Sequence, residues 1–237
     1  MNLDIIVPVY NESQLIPLTL KRLVEVKFPD FIRNARIVIV DDCSTDNSVE
    51  KVREFMQSNP NVKISLLQMV SNSGKGAAVR FGIENSTGDL IAIQDADLEL
   101  DPGDIPVMLK VQRELQIDFV NGSRYLPGIP RPLSSYRRYL ANRFMTWLTS
   151  VLINVKLTDM ACGHKLFTRS LYEKLNLKEN RFGFEAEIII KAMRIQKNNI
   201  TEVPVQYFPR NRGEGKKIKT SDGFKMLGTI LKYSIFR

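Results

Sequence analysis

The chain has 237 residues, 43% hydrophobic and 25% charged, with 34 basic side chains against 26 acidic ones for a net charge of +8. This balance excludes a disordered chain and fits one globular domain with a full core. Two cysteines, Cys43 and Cys162, and a single histidine, His164, argue against a disulfide framework, a Cys–His zinc site and a histidine-based triad.

Residues 1–10 are apolar but contain Asp4 and Pro8 and follow no basic segment, so they do not read as a secretory signal. The longest charge-free apolar stretch of interest, 144–155, falls short of the ~20 residues that a bilayer span needs. The expected setting is therefore intracellular. Three classes of partner could use the basic excess: nucleic acid, anionic lipid or a phosphorylated substrate.

Strand-like runs rich in Val, Ile and Leu occupy 3–9, 36–41, 63–68, 89–94 and 118–122. Helix-length segments at 13–26, 46–57, 74–84 and 102–115 separate them, and Ser44-Thr45-Asp46 is a cap cluster for the second. Strict alternation predicts an α/β fold with a mostly parallel sheet and helices on both faces. Ligands of such sheets sit beyond the carboxyl ends of the strands, here just after Val9, Val40 and Gln94.

The second half is less regular. Pro127, Pro130 and Pro132 mark a loop before a predicted helix over 137–155, where Leu140, Phe144, Trp147, Leu148, Val151 and Val155 follow Arg137, Arg138 and Arg143. A strand is predicted over 202–207. A terminal helix over 222–236 sets Phe224, Leu227, Leu231 and Ile235 beside Lys225, Lys232 and Arg237, although Gly228 weakens it. Each stripe fits either core packing or a membrane surface, and two in one chain favour an interface.

The strand ends carry the chemistry. Pro8 and Tyr10 could wall a nucleotide base, with Asp41 or Asp42 accepting from its ring N–H. Asp95, Asp97 and Glu99 alternate after an apolar strand, so an extended segment would point all three carboxylates one way. Their repulsion calls for a cation, and Mg²⁺ or Mn²⁺ shared with substrate phosphates is the natural one. Asn72-Ser73-Gly74-Lys75-Gly76 is not a standard phosphate loop and reads as a tight turn into a helix, with Lys75 near the nucleotide. Arg124, Arg210, Arg212, Lys216, Lys217 and Lys219 could grip phosphates, and as loop cations they are expected to matter little for stability. Cys43 and Cys162 have no activating partner in the sequence and read as structural.

Taken together, residues 7–12, 40–46, 72–76 and 94–99 resemble the inverting family 2 glycosyltransferases of GT-A fold. Gly122-Ser123-Arg124, Leu157-Thr158-Asp159-Met160, Lys165-Leu166-Phe167, Arg181–Glu185 and 210–217 resemble the dolichyl-phosphate mannose synthase, or polyprenyl-phosphate glycosyltransferase, branch. The resemblance implies a three-layer GT-A sandwich with amphipathic interface helices in its C-terminal half. Its parts would be a nucleotide-binding half (1–125), an acceptor-side half (126–217) and a terminal amphipathic helix (218–237). It implies that Pro8, Tyr10, Glu12, Val40 and Asp42 hold the nucleoside and that Asp95, Ala96 and Asp97 face the donor. Asp95, Asp97 and Glu99 would lie near the metal, and Arg124, Arg210 and Lys216 on phosphates.

Two departures from the family pattern stand out: Cys43 replaces the usual glycine, and Ala161-Cys162-Gly163-His164 replaces the commoner Glu-Thr-Cys-Tyr. Many relatives also carry C-terminal transmembrane helices, which this sequence does not show. The implied reaction moves a sugar, mannose before glucose, from GDP-mannose or a UDP-sugar to a polyprenyl (dolichyl) phosphate with inversion. The implied location is cytoplasmic and peripheral on a membrane, with no nucleic acid partner. A relative acting on a sugar hydroxyl would need a general base, for which Glu185 and Asp159 are candidates. A non-enzymatic anion- or nucleic-acid-binding protein is disfavoured by the acidic cluster. A nucleotidyltransferase would be expected to open on a glycine-rich loop, which residues 8–11 are not.

Overall fold

The computed structural model describes residues 1–130, 132, 135–196, 199–210 and 220–235. Strands β1 (Asn2–Val9), β2 (Asn34–Asp41), β3 (Ile64–Gln68) and β4 (Leu90–Ile93) alternate with helices α1 (Ile16–Glu25), α2 (Ser48–Ser58) and α3 (Lys75–Glu84). Then come α4 (Ile105–Leu115), β5 (Phe119–Ser123), α5 (Tyr136–Ile153), β6 (Lys165–Thr168), α6 (Arg169–Leu175), α7 (Gly183–Gln196), β7 (Ile200–Pro204) and α8 (Thr220–Ile235). The strands form one seven-stranded sheet in the order β3-β2-β1-β4-β6-β5-β7. All neighbours are parallel except β6, which runs antiparallel to both β4 and β5.

The near-continuous apolar runs in β1, β2 and β4 reflect burial on both faces, as parallel strands between helices require. Leu3, Ile5, Val7, Ile37 and Ile39 face α1, α2 and α4, where they meet Leu20, Val52 and Leu109. Ile6, Val38, Val40 and Ile91 face α3 and α7, where they meet Val79, Ile83, Phe184 and Ile188. The result is the three-layer sandwich that strand–helix alternation predicts. At its tightest point α3 lies directly on the sheet: a Cβ on Gly82 would come within 2.8 Å of both Ile6 and Val40. Gly82→Ala would force the helix off these strands.

Three elements depart from the sequence reading. The sequence pattern marks neither β6, whose four residues are too few to show a period, nor the helices α6 and α7 that follow it. The cap expected at 44–46 is spent differently. Ser44 Oγ accepts from the Asn11 amide at 2.9 Å, and Asp46 accepts from the amides of both Ser13 and Ser48 at 3.0 Å. The cluster thus ties the exit of β1 to that of β2. The strand expected at 202–207 begins and ends earlier, at Ile200–Pro204, pairing with β5.

Candidate active site

The parallel strands deliver their carboxyl ends to one edge, and β6, being antiparallel, begins there. Tyr10 to Glu12, Asp41 to Cys43, Gln94 to Glu99, Arg124, Cys162 to His164 and Val205 to Arg210 therefore converge on it. Asn11, Cys43 and Leu98, which follow β1, β2 and β4, all take positive φ, at 50°, 60° and 57°. Left-handed backbone costs a non-glycine residue ~1–2 kcal/mol, and such strain gathers at functional sites. It explains why glycine is usual in the family where this chain has Cys43.

Arg210 gathers three acids at this edge. Its guanidinium lies 3.3–3.4 Å from the Glu12 carboxylate and 3.1 Å from Asp97 Oδ2, and its amide donates to Glu99 Oε1 at 3.1 Å. Tyr207 donates its hydroxyl to Glu99 Oε2 at 3.4 Å. Burial and the neighbouring Asp95 and Glu99 charges push Asp97 up to about 6, against the pull of Arg210. Asp95 turns the other way and pairs with Lys75 Nζ at 2.6 Å. Lys75 also meets Glu185 at 2.7 Å, and Glu185 in turn pairs with the fully buried Lys165. Burial opposes the Lys75 charge, yet Asp95 and Glu185 hold it well above the ordinary lysine range.

The expected convergence of three carboxylates is therefore corrected. Leu98 breaks the extended run: Asp95 turns to Lys75 on α3, whereas Asp97 and Glu99 both turn to Arg210, Asp97 to its guanidinium and Glu99 to its backbone amide. Among the described residues no cluster of three or more acidic, cysteine or histidine side chains has metal-binding geometry. Asp95 and Asp97 do present two hard oxygen ligands at an accessible edge, each 24% exposed, with mutual repulsion that a divalent cation would relieve. That pair fits Mg²⁺ or Mn²⁺.

The nucleoside-side residues are placed unevenly. Pro8 and Tyr10 are half-buried at the end of β1, whereas the Val40 side chain is in the core beneath α3. Ala96 is buried, and its carbonyl accepts from Thr19 Oγ1 at 2.9 Å. Asp42 accepts from the Ser73 and Gly74 amides at 2.7 Å and from Asn72 Nδ2 at 3.1 Å, so it shapes the turn into α3. Asp41 accepts from the Ser44 amide at 3.1 Å through Oδ2, while its buried Oδ1 has no partner among the described residues. The turn itself is no open phosphate loop. Its glycines admit the 179–181 loop, since a Cβ on Gly76 would lie 2.3 Å from the Glu179 carbonyl.

Arg124 requires a correction. It closes a fork on Asp159 at 2.7 and 2.9 Å and gives a further bond to the Ala161 carbonyl at 3.1 Å. Asp159 is fully buried. Burial alone would raise its carboxyl, but Arg124 outweighs burial and holds it below the usual range. Glu202 on β7 accepts from the Thr158 and Asp159 amides at 2.7 and 3.2 Å and fixes this loop. Arg124 is thus tied into the scaffold and is not the loose loop cation that the sequence reading expects. It still lines a cleft of about 250 Å³ with Tyr125, Leu126, Ile129, Tyr139 and Arg143. Lys216, with Arg212, Lys217 and Lys219, lies outside the described residues.

Sequence reasoning missed Lys165, the Lys75 bridge and His164. His164 is fully buried, pairs with Gln94 across the β4–β6 junction at 2.7 Å, and is pushed down to about 4 by burial, so its ring is neutral. Burial pushes the Cys162 thiol up to about 12, in keeping with a structural cysteine.

Of the stripe expected over 137–155, Leu148 and Val155 pack half-buried against the core and the rest lies outside. Leu140, Phe144, Trp147 and Val151 are all exposed, and only Thr146 and Thr149 are buried. On α8, Phe224 is 75% exposed, and Leu231 and Ile235 are exposed beside it, while Ile230 faces the core. Among the described residues no helix is long and apolar enough to cross a membrane.

The family described as "Glycosyl transferase family 2" matches residues 4–175. A dolichyl-phosphate beta-glucosyltransferase of Trichomonas vaginalis is 32% identical, covering 99% of this chain and 73% of that protein. A dodecaprenyl-phosphate galacturonate synthase of Rhizobium johnstonii is 26% identical, covering 100% of this chain and 67% of that protein. A similar solved structure is glucosyl-3-phosphoglycerate synthase from Mycobacterium tuberculosis in complex with Mn²⁺, UDP and phosphoglyceric acid. It superposes with a TM-score of 0.75 at 15% identity, covering 100% of this chain and 79% of that one, and the shared fold is GT-A.

Proposed function

The chain belongs to glycosyl transferase family 2, in its polyprenyl-phosphate branch, and we propose that it transfers a hexosyl unit from a nucleoside diphosphate sugar to a polyprenyl (dolichyl-type) phosphate with inversion. The observation that carries this reading is the state of the two candidate bases. Asp159 is closed in a fork with Arg124, and Glu185 lies between Lys75 and Lys165. Arg124 holds the Asp159 carboxyl below the usual range, which makes it a poor proton acceptor, and the two Glu185 oxygens are each engaged by a lysine. A sugar hydroxyl would need such a base. A phosphate monoester, largely ionised near pH 7, needs none.

The chain's own groups divide the work. Tyr10, Pro8 and the spare acceptor on Asp41 line the base side, with Asp42 holding the neighbouring turn. Arg210, whose guanidinium is shared between Glu12 and Asp97, can swing part of its charge onto donor phosphates, with Lys216 as a further cation for them. Asp95 and Asp97 would hold Mg²⁺ or Mn²⁺, with Glu99 fixing the turn between them and Arg210. When bound, the cation supplies charge stabilisation for the departing nucleoside diphosphate. The acceptor phosphate enters by the cleft that Arg124 and Arg143 line, where the exposed Arg143 offsets the repulsion between anionic reactants while Arg124, paired with Asp159, holds the wall.

The lipid tail remains in the bilayer, so the exposed apolar faces of α5 and α8, with exposed Arg137, Arg138, Lys225 and Lys232, serve as a membrane-surface contact. The relatives named above transfer glucose and galacturonate, which favours glucose over the mannose first expected. The test is a transfer assay with Mg²⁺ or Mn²⁺, a polyprenyl phosphate and a panel of UDP- and GDP-sugars, followed by detection of lipid-linked sugar. Lipid-linked glucose from UDP-glucose is expected. Transfer to free glycans with none to lipid phosphate would overturn the reading.

A further inference from the structure

Between β4 and β6 lies a buried side-chain pair that the reaction itself does not use. Gln94 directly follows β4, and its amide group donates to two carbonyls: Asp95 at 3.0 Å and Leu100 at 3.1 Å. These carbonyls stand at the two ends of the acidic turn that carries Asp95, Asp97 and Glu99. With both amide hydrogens spent there, the Gln94 oxygen faces His164 Nε2 at 2.7 Å and must accept from it. His164 Nε2 therefore carries the ring proton, and Nδ1, buried, has no partner among the described residues. The ring hangs on the first residues of the sheet's antiparallel strand, where the His164 carbonyl also accepts from the Gly122 amide at 2.9 Å.

The turn needs such a clamp. Leu98 at φ 57° holds it in a conformation that its own backbone disfavours, and its three carboxylates repel one another. The next residue along, Gly163, has no room for a side chain: a Cβ there would lie 2.0 Å from Asp95 Oδ2. Residues 163 and 164 thus bear on the turn twice, once as a wall against Asp95 and once as a donor to the residue that brackets it.

We infer that His164 is a positioning residue for the donor site, fixing through Gln94 the span of the acidic turn and hence the separation of the Asp95 and Asp97 carboxylates. The inference rests on the donor reading above, in which those two carboxylates meet a metal–nucleotide complex. It also gives a physical meaning to the sequence departure at 161–164, because the side chain at 164 sets the geometry of a turn seventy residues earlier in the chain.

Isothermal titration with UDP or GDP, each with and without Mn²⁺, tests this on the purified protein. His164→Phe keeps a ring and removes the donor. It is expected to weaken Mn²⁺-dependent nucleotide binding about tenfold, the scale of one buried bond, and to leave metal-free nucleotide binding unchanged. His164→Gln, which places an amide N–H near the same point, should bind within about threefold of wild type. The double variant His164→Phe with Gln94→Met should bind no worse than Gln94→Met alone, as two members of one clamp require. If His164→Phe does not fold, the His164→Gln and Gln94→Met variants carry the same comparison, with rescue expected only in the former. Unchanged affinity in the variants that remove the donor or its acceptor, equal losses with and without Mn²⁺, or additive losses in the double variant would each overturn the inference alone. A wild-type protein that binds neither nucleotide would overturn the donor reading and the inference together.

Discussion

Two arginine–carboxylate contacts at the same sheet edge behave as different kinds of object. Arg124 and Asp159 form one closed fork at 2.7–2.9 Å, with the acid fully buried and its loop pinned by Glu202. The Arg210 guanidinium spreads over Glu12 and Asp97 at 3.1–3.4 Å while its backbone amide holds Glu99, and Asp97 is 24% exposed. The first arrangement uses up its hydrogen-bonding geometry in holding the chain together. The second balances charge loosely at an open edge, where an incoming phosphate or cation can rearrange it. The same residue types in the same fold therefore serve as scaffold in one place and, in the function proposed above, as chemistry in the other.

The largest expected effect is on the open side. Asp97→Asn should lower kcat/KM at least about a hundredfold, because a neutral amide cannot replace an anionic ligand to a hard cation, and Asp95→Asn should follow it closely. Steady-state assays with and without chelator check both. Full activity in the two variants would reduce this side to ordinary charge pairing.

The closed side should fail in stability instead. Arg124→Ala is expected to cost about 3–5 kcal/mol in urea denaturation, since it strands the buried Asp159 charge. Arg210→Ala should cost less than that, because its contacts are longer and one partner, Asp97, is 24% exposed and open to solvation, while weakening use of the donor. Equal stability losses in the two variants would erase the distinction.

A pH series sharpens the donor side further. Asp97 is pushed up to about 6, so Mn²⁺-dependent nucleotide binding should strengthen as pH rises through about 6 and fall about tenfold per unit well below it. Its effect on folding has the opposite sign. A carboxyl raised above its unfolded value contributes stability that is full below about 4 and is lost as pH rises through about 6. Calorimetric titrations and melts from pH 4 to 7 test both directions.

The smallest effect concerns the outer faces of α5 and α8. Phe224→Glu should reduce liposome flotation a few-fold without shifting the melting temperature, because the ring is 75% exposed and leaves no core cavity. Binding should rise with anionic lipid and fall with salt. If Phe224→Glu unfolds the protein, or the wild type never floats, the membrane contact is wrong.

Strand–helix alternation, the positions of the strand ends and the acidic turn were all legible in the sequence, because each depends on neighbours within a few residues. The apolar runs of β1, β2 and β4 had to be buried strands, and the residues following them had to lie at one edge. The pairings at that edge were not legible. Lys75 reaches Asp95 and Glu185, Arg124 reaches Asp159, and Arg210 reaches Glu12 across 198 positions. Which cation meets which acid depends on how crossovers set strands side by side, and above all on β6, four residues that reverse direction in the middle of a parallel sheet. The stripe on α5 shows the same limit: its period predicted a helix with an apolar face, but whether that face meets core or solvent depends on the packing of α7 and α8, which no local pattern encodes.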